Sequence, residues 1–179
     1  IHSETNIERS YSNLGIAYQN IDSLDMAIQC FQKSLDISKS QNLKLKIAKN
    51  HLNIGQIYTL KKMPDSAEYH LQKSLKICMV TDFDFGIFLN KINLGNVNLD
   101  RGAWQKAYIN YTDAKELLKY FNVPSEESEL LEGLYLAHKN LGQKDSALYY
   151  LEAYAALNDS IVKQEQKERI SELELKYNT

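Results

Sequence analysis

The residues able to do chemistry in this chain are few and do not assemble into a reaction centre. The four histidines, His2, His51, His70 and His138, follow no HExxH or other metal-ligand spacing. No GxSxG elbow is present, and no glycine-rich loop that would cradle a phosphate. Cys30 and Cys78 are too few for a disulfide framework and lack metal-site spacing, so both are read as packing residues. The carboxylate pair Glu126-Glu127 sits where a helix is predicted to begin, and there it suits the positive end of the helix dipole. What remains is a recurring amide. Asn13, Asn53 and Asn93 are evenly spaced, each just before a Leu-Gly or Ile-Gly pair. A primary amide both donates and accepts hydrogen bonds, so a row of them can pair with the backbone of an extended peptide whatever its sequence. The chemistry on offer is recognition. No catalytic residue, metal or cofactor is expected.

Composition narrows the partners. The 179 residues are 44% hydrophobic and 25% charged, a folded-protein balance, with a formal net charge of -2 and both signs interspersed. Phosphate backbones call for a concentrated basic face, and none is visible, so nucleic acid is not expected as a partner. No apolar run approaches the ~20 residues of a membrane span, and no signal peptide is evident. The chain opens at Ile1 without a methionine and stops at "LELKYNT", and is expected to be a piece of a longer protein.

Positioning the amides requires repeated elements, and the sequence supplies them. "NLGIAYQNIDSLDMA", "NIGQIYTLKKMPDSA", "NLGNVNLDRGAWQKA" and "GLYLAHKNLGQKDSA" align at one constant step. Gly15, Gly55 and Gly95 form one column, with Tyr135 in the fourth place. Ala27, Ala67, Ala107 and Ala147 form a second, and Phe31, Leu71, Tyr111 and Leu151 a third. A glycine inside a helix costs roughly 1 kcal/mol relative to alanine. Its recurrence predicts a close helix–helix approach, with small residues facing each other and a large one filling the adjacent hole.

These columns resemble the tetratricopeptide repeat, whose signature places Leu-Gly, Tyr, Ala and Phe at fixed offsets. Here they are Leu14-Gly15, Tyr18, Ala27 and Phe31, then Ile54-Gly55, Tyr58, Ala67 and Leu71, then Leu94-Gly95, Asn98, Ala107 and Tyr111. The fourth repeat departs most, with Leu134-Tyr135, His138, Ala147 and Leu151. HEAT and armadillo repeats share the period near 40, whereas the tetratricopeptide period is about 34; the small and large columns favour the latter. The resemblance implies an all-α, right-handed superhelical solenoid of about four helical hairpins plus a C-terminal helix. Repeats are expected at about 5–44, 45–83, 84–124 and 125–158, with a capping or connecting helix over 159–179. Helices are predicted at about 5–20, 24–40, 45–61, 64–80, 84–101, 104–120, 125–141 and 144–158. Pro64 opens one of them and Ser125 is expected to cap another.

In the family the first helix of each pair lines the concave side, so the resemblance implies a protein or peptide ligand held in that groove. The residues expected to meet it are Asn13, Ile16, Asn53, Gln56, Leu89, Asn93, Asn96 and Glu132, with Ser12, Gln19, Leu52, Ile92, Leu99, Glu129 and Leu136 beside them. An apolar middle bounded by an acidic fourth repeat favours a hydrophobic ligand segment with a basic end. The lysine and arginine clamp that some members close on a C-terminal carboxylate is missing, since those places hold Ser12, Ile16, Leu89 and Asn93.

After Asn158 the repeat gives way to "DSIVKQEQKERISELELKYNT", in which Ile170, Leu173 and Tyr177 fall at helical spacing and residues 163–169 are all polar. Ile161 and Val162 are expected to cap the last repeat before the helix leaves the array. This ending resembles the junction of bacterial sensor histidine kinases and related regulators, where a membrane helix and a signalling module come next. The resemblance implies the sensory region of a membrane-linked bacterial signal-transduction protein of the two-component type, extracytoplasmic (periplasmic) in place, with a homodimer through the C-terminal helix. The alternative is a stand-alone cytoplasmic adaptor or assembly scaffold without signal output.

Overall fold

The computed structural model describes residues 2–177. They form eight helices: α1 (His2–Asn20), α2 (Leu24–Ser40), α3 (Lys44–Leu60), α4 (Pro64–Val80), α5 (Asp84–Asp100), α6 (Trp104–Leu118), α7 (Pro124–Asn140) and α8 (Lys144–Tyr177). From α2 onward the helix starts are evenly spaced, so each sequence repeat is two helices and the two turns that follow them. The residues beyond the usual period of about 34 lengthen the helices.

The turns are built alike. The N–H of Ser23 donates to the Tyr18 carbonyl at 2.9 Å and that of Asp22 to Gln19 at 3.0 Å. The same pair of bonds recurs after α3, where Met63 donates to Tyr58 and Lys62 to Thr59. This is the Schellman arrangement, which satisfies carbonyls left over at a helix end and sets one residue left-handed. That residue is Asp22, Asn42, Lys62, Asp82, Gly102 or Gly142, each with φ between 49° and 74°. Between α6 and α7 the pattern lapses. The sixth helix ends at Leu118, and residues 119–123 cross to α7 with Phe121 and Val123 packed on the core. Helix α7 starts at Pro124 with Val123 before it, so Ser125 lies inside the first turn and does not cap it. Pro124 instead takes the role Pro64 has in α4, at a place where the missing N–H has no intrahelical partner to lose.

Packing follows the columns. Ala27, Ala67 and Ala107 are wholly buried and Ala147 nearly so. The large residue one turn later lies directly on the glycine. A Cβ built on Gly15 would stand 2.8 Å from the Phe31 ring, on Gly55 2.7 Å from Leu71, and on Gly95 2.4 Å from Tyr111. In the fourth repeat Tyr135 replaces the glycine, and Leu151 is 38% exposed where its three counterparts are fully covered. Tyr111 is gripped twice, for a Cβ on Gly133 of α7 would also lie 2.3 Å from its ring.

Successive hairpins meet along seams that change character down the array. Between the first two, the buried Asn50 amide donates to Ser34 at 2.9 Å, and Ser34 donates to the buried Glu8, which pairs with Lys46. Between the second and third, Asn90 donates to Ser74 at 2.8 Å and to the Gly86 carbonyl at 2.8 Å, with Cys78 beside it. Burial pushes the Cys78 thiol up, so it stays protonated. Between the third and fourth, the equivalent places are apolar: Ala114 and Leu130 are fully buried, and Phe88, Tyr111 and Leu134 join them in one core.

The last helix does not stop at Asn158 but runs unbroken to Tyr177. Ile161 is half-buried, and residues 162–177 are exposed.

Candidate peptide-binding groove

Helices α3, α5 and α7, the first members of their hairpins, pack side by side, and so define one face of the array. Along this face the side chains recur in rows, one member from each hairpin. Ile16, Gln56, Asn96 and Leu136 form one row and Asn13, Asn53, Asn93 and Gly133 another.

The asparagine row is graded in exposure. Asn13 is exposed, Asn53 half-buried and Asn93 only 5% exposed. The Asn93 amide donates 2.8 Å to the Leu89 carbonyl of its own helix. It is therefore committed to α5 and does not present itself as the other two do. Leu52 and Ile92 are buried core residues, and Leu89 packs against two of the hydrophobic clusters. Asn93, Leu52, Ile92 and Leu89 were all expected in the groove; the tight approach of α5 to its neighbours draws them inward. Ile16 stays 45% exposed, Gln56 and Asn96 are half-buried, and Glu132 is exposed.

A cavity of about 490 Å³ opens where α3, α5 and α7 converge, walled by Leu60, Leu99, Trp104 and Leu136 with Asn96 and Glu132 at its polar side. Among its lining residues, Asn96 is fixed by a chain of hydrogen bonds: the Tyr111 hydroxyl donates to Asn96 Oδ1 at 2.5 Å, and the Asn96 amide donates to Glu129 Oε1 at 2.6 Å. Burial, then the charges of Glu129, Asp100 and Glu132, pushes the Tyr111 phenol well up, so it remains a donor. Although the Glu129 side chain reaches solvent, partial desolvation against α5 pushes its carboxyl up, the Asn96 bond opposes this, and Glu126 and Glu132 add to it. Asp100 is answered by Lys62 at 2.8 Å. The cavity thus combines apolar walls with a charged margin, in which Lys62 and Asp100 answer each other and Glu132 adds a further carboxylate.

One polar pair escaped the sequence reading. His51 and His70 meet Nδ1 to Nδ1 at 3.0 Å beside Tyr58 and Tyr69, one ring donating to the other. Desolvation first, then His70, Lys39 and Lys73, lowers the His51 pKa to about 4, so it is neutral near pH 7. The two lie on either side of a turn at a spacing that is no motif, and only the hairpin register would have paired them. Among the described residues no group of three or more His, Cys, Asp or Glu is placed to hold a metal ion.

Residues 6–79 match the family model "Tetratricopeptide repeat". The crystal structure of BtubC (BKLC) from P. vanneervenii superposes with a TM-score of 0.75 at 18% identity, over 86% of this chain. The fold is a tetratricopeptide-type helical solenoid. The chain spans 64% of the length of that BtubC structure. No curated protein matches the sequence. Tetratricopeptide modules mediate protein–protein interaction as a class.

Proposed function

We propose that this chain is a peptide-binding tetratricopeptide module whose ligand lies in the groove over α3, α5 and α7. The observation that carries this reading is the cavity of about 490 Å³, with Leu60, Leu99, Trp104 and Leu136 ready to take an apolar side chain beside hydrogen-bonding amides. Asn13 and Asn53 are suited to an extended backbone, while Asn96, held between Tyr111 and Glu129, braces the polar side of the cavity. The module serves as the sensory region of a membrane-linked bacterial signalling protein, extracytoplasmic in place. Ligand binding shifts the curvature of the array, and α8 carries that shift to a dimer formed through its exposed half. Residues 162–177, all exposed and running on from the last hairpin as one helix, support a connecting role. A stand-alone adaptor is the second reading, favoured by the all-polar stretch 163–169, which offers a dimer no apolar seam.

Calorimetry with a groove-binding peptide tests the core of this reading. Asn53→Ala is expected to weaken affinity several-fold and to leave the unfolding midpoint within ~0.5 kcal/mol of the parent, as for a surface change. Unchanged affinity would remove the asparagines from the binding surface. The sensory reading expects an apolar run of about 20 residues downstream of Thr179 in the parent gene, and a gene that ends there or continues without one favours the adaptor.

A further inference from the structure

One row of the groove is electrically graded. At matching register positions on α1, α3, α5 and α7 stand Arg9, Lys49, Leu89 and Glu129, and the first, second and fourth are exposed. The row beside it ends in Glu132. A second cavity of about 310 Å³ between α1 and α3 is lined by Arg9, Lys46 and Lys49 along with Ser12 and Asn13. Lys46 is answered there by Glu8. Lys49 rides over the Phe83 ring at 5.6 Å, and neither it nor Arg9 takes an ion pair among the described residues. At the other end, Glu132 likewise has no cationic partner among them, and Glu129 is met only by a neutral amide. Two cations and two carboxylates are thus left without counter-charges at opposite ends of one face, with apolar walls between. Neighbouring helices lie about 8–10 Å apart, so α3 to α7 is about 20 Å, the length of about six extended residues.

We infer that the groove takes an extended peptide with segregated charge: carboxylates over α1 and α3, apolar residues over α5, and lysine or arginine over α7, the two charged ends about six residues apart. This rests on the groove being the binding surface. A ligand of that pattern meets each uncompensated end with the opposite sign, whereas a wholly basic or wholly acidic one is repelled at one end. The apolar centre enters the cavity beside Trp104.

A display library of random dodecamers, selected against the full chain, tests this. Trp104 is the single tryptophan, so tryptophan-free peptides from the selection can be titrated by its emission. Enriched peptides are expected to carry acidic and basic clusters separated by about six residues, and to shift Trp104. Lys49→Glu and Glu129→Lys, both at exposed positions, should each weaken them ~10-fold, and raising salt from about 50 to 300 mM should weaken them several-fold. Enriched peptides of one sign or none that still shift Trp104 would overturn the charge assignment and leave the groove reading standing. Peptides that leave Trp104 unmoved and tolerate Leu99→Ser, or a selection without enrichment, would overturn both.

Discussion

At the scale of single residues, the fold turns on rings laid flat against missing side chains. Tyr111 is the clearest case, held between Gly95 and Gly133 while its hydroxyl reaches Asn96. Gly133→Ala should therefore cost about 1–3 kcal/mol, as overpacking does, and should also weaken groove ligands by pushing the Asn96–Glu129 pair out of place. Urea denaturation reads the first effect; a neutral midpoint would mean that α7 can retreat. His51 supplies a pH dependence. Its folded-state pKa of about 4 lies below the unfolded value of 6.5, so the unfolded chain binds the extra proton between them. Stability is thus full above pH 6.5 and falls as pH drops toward 4, by ~3 kcal/mol at most. Burial, then Lys39, lowers the His70 pKa too, so thermal midpoints across that window should fall for the parent, fall less for His51→Gln and fall least when both histidines are replaced by Gln. The glycine and alanine columns were legible because a close approach tolerates only small residues. The asparagine column was not settled by residue type, since an amide serves a groove and its own helix equally well; in one row Asn13 stays exposed and Asn93 bonds its own helix.

At the scale of elements, the turn sets the metre. Four of the six left-handed positions are not glycine, and three of those are Asp or Asn, the residues that tolerate it best. Lys62 is the exception; its ammonium reaches across to Asp100 from the place the turn gives it. Gly142 has φ +74° and nothing within 4 Å of a built Cβ. Gly142→Ala should then cost only the backbone term, about 1 kcal/mol, and calorimetric unfolding would show it; no loss would mean the turn relaxes to another type. The seams between hairpins were written in the sequence and passed over. Ser34 and Ser74, Asn50 and Asn90, and Ser38 with Cys78 all keep the step of the repeat. Small polar residues in mid-helix look like surface, and only the fold shows them facing one another.

For the molecule as a whole, stability should concentrate toward the third and fourth hairpins, where Phe88, Tyr111, Leu130 and Leu134 make the largest continuous core. The exposed half of α8 lies outside it. Deleting residues 163–179 is expected to leave the unfolding midpoint within about 0.5 kcal/mol of the parent, and a loss above about 1 kcal/mol would show that the tail folds back on the array. The number of hairpins and their order were legible from the period alone. A helix over 159–179 was legible as well; that it would be one unbroken helix with the last repeat was not, because nothing in "AALNDSIV" marks a stop or demands one.

The repeated Asn-on-Ser seam has an architectural corollary. Because Asn50 and Asn90 meet the same kind of surface, offered once by Ser34 with Ser38 and once by Ser74 with Cys78, the second hairpin is bounded by two matching joints. Excise residues 44–83, joining Leu43 to Asp84, and Asn90 would dock on Ser34 as Asn50 once did. The third hairpin, bounded by one polar and one greasy joint, has no such freedom: this rod can be shortened at one link and not at the next.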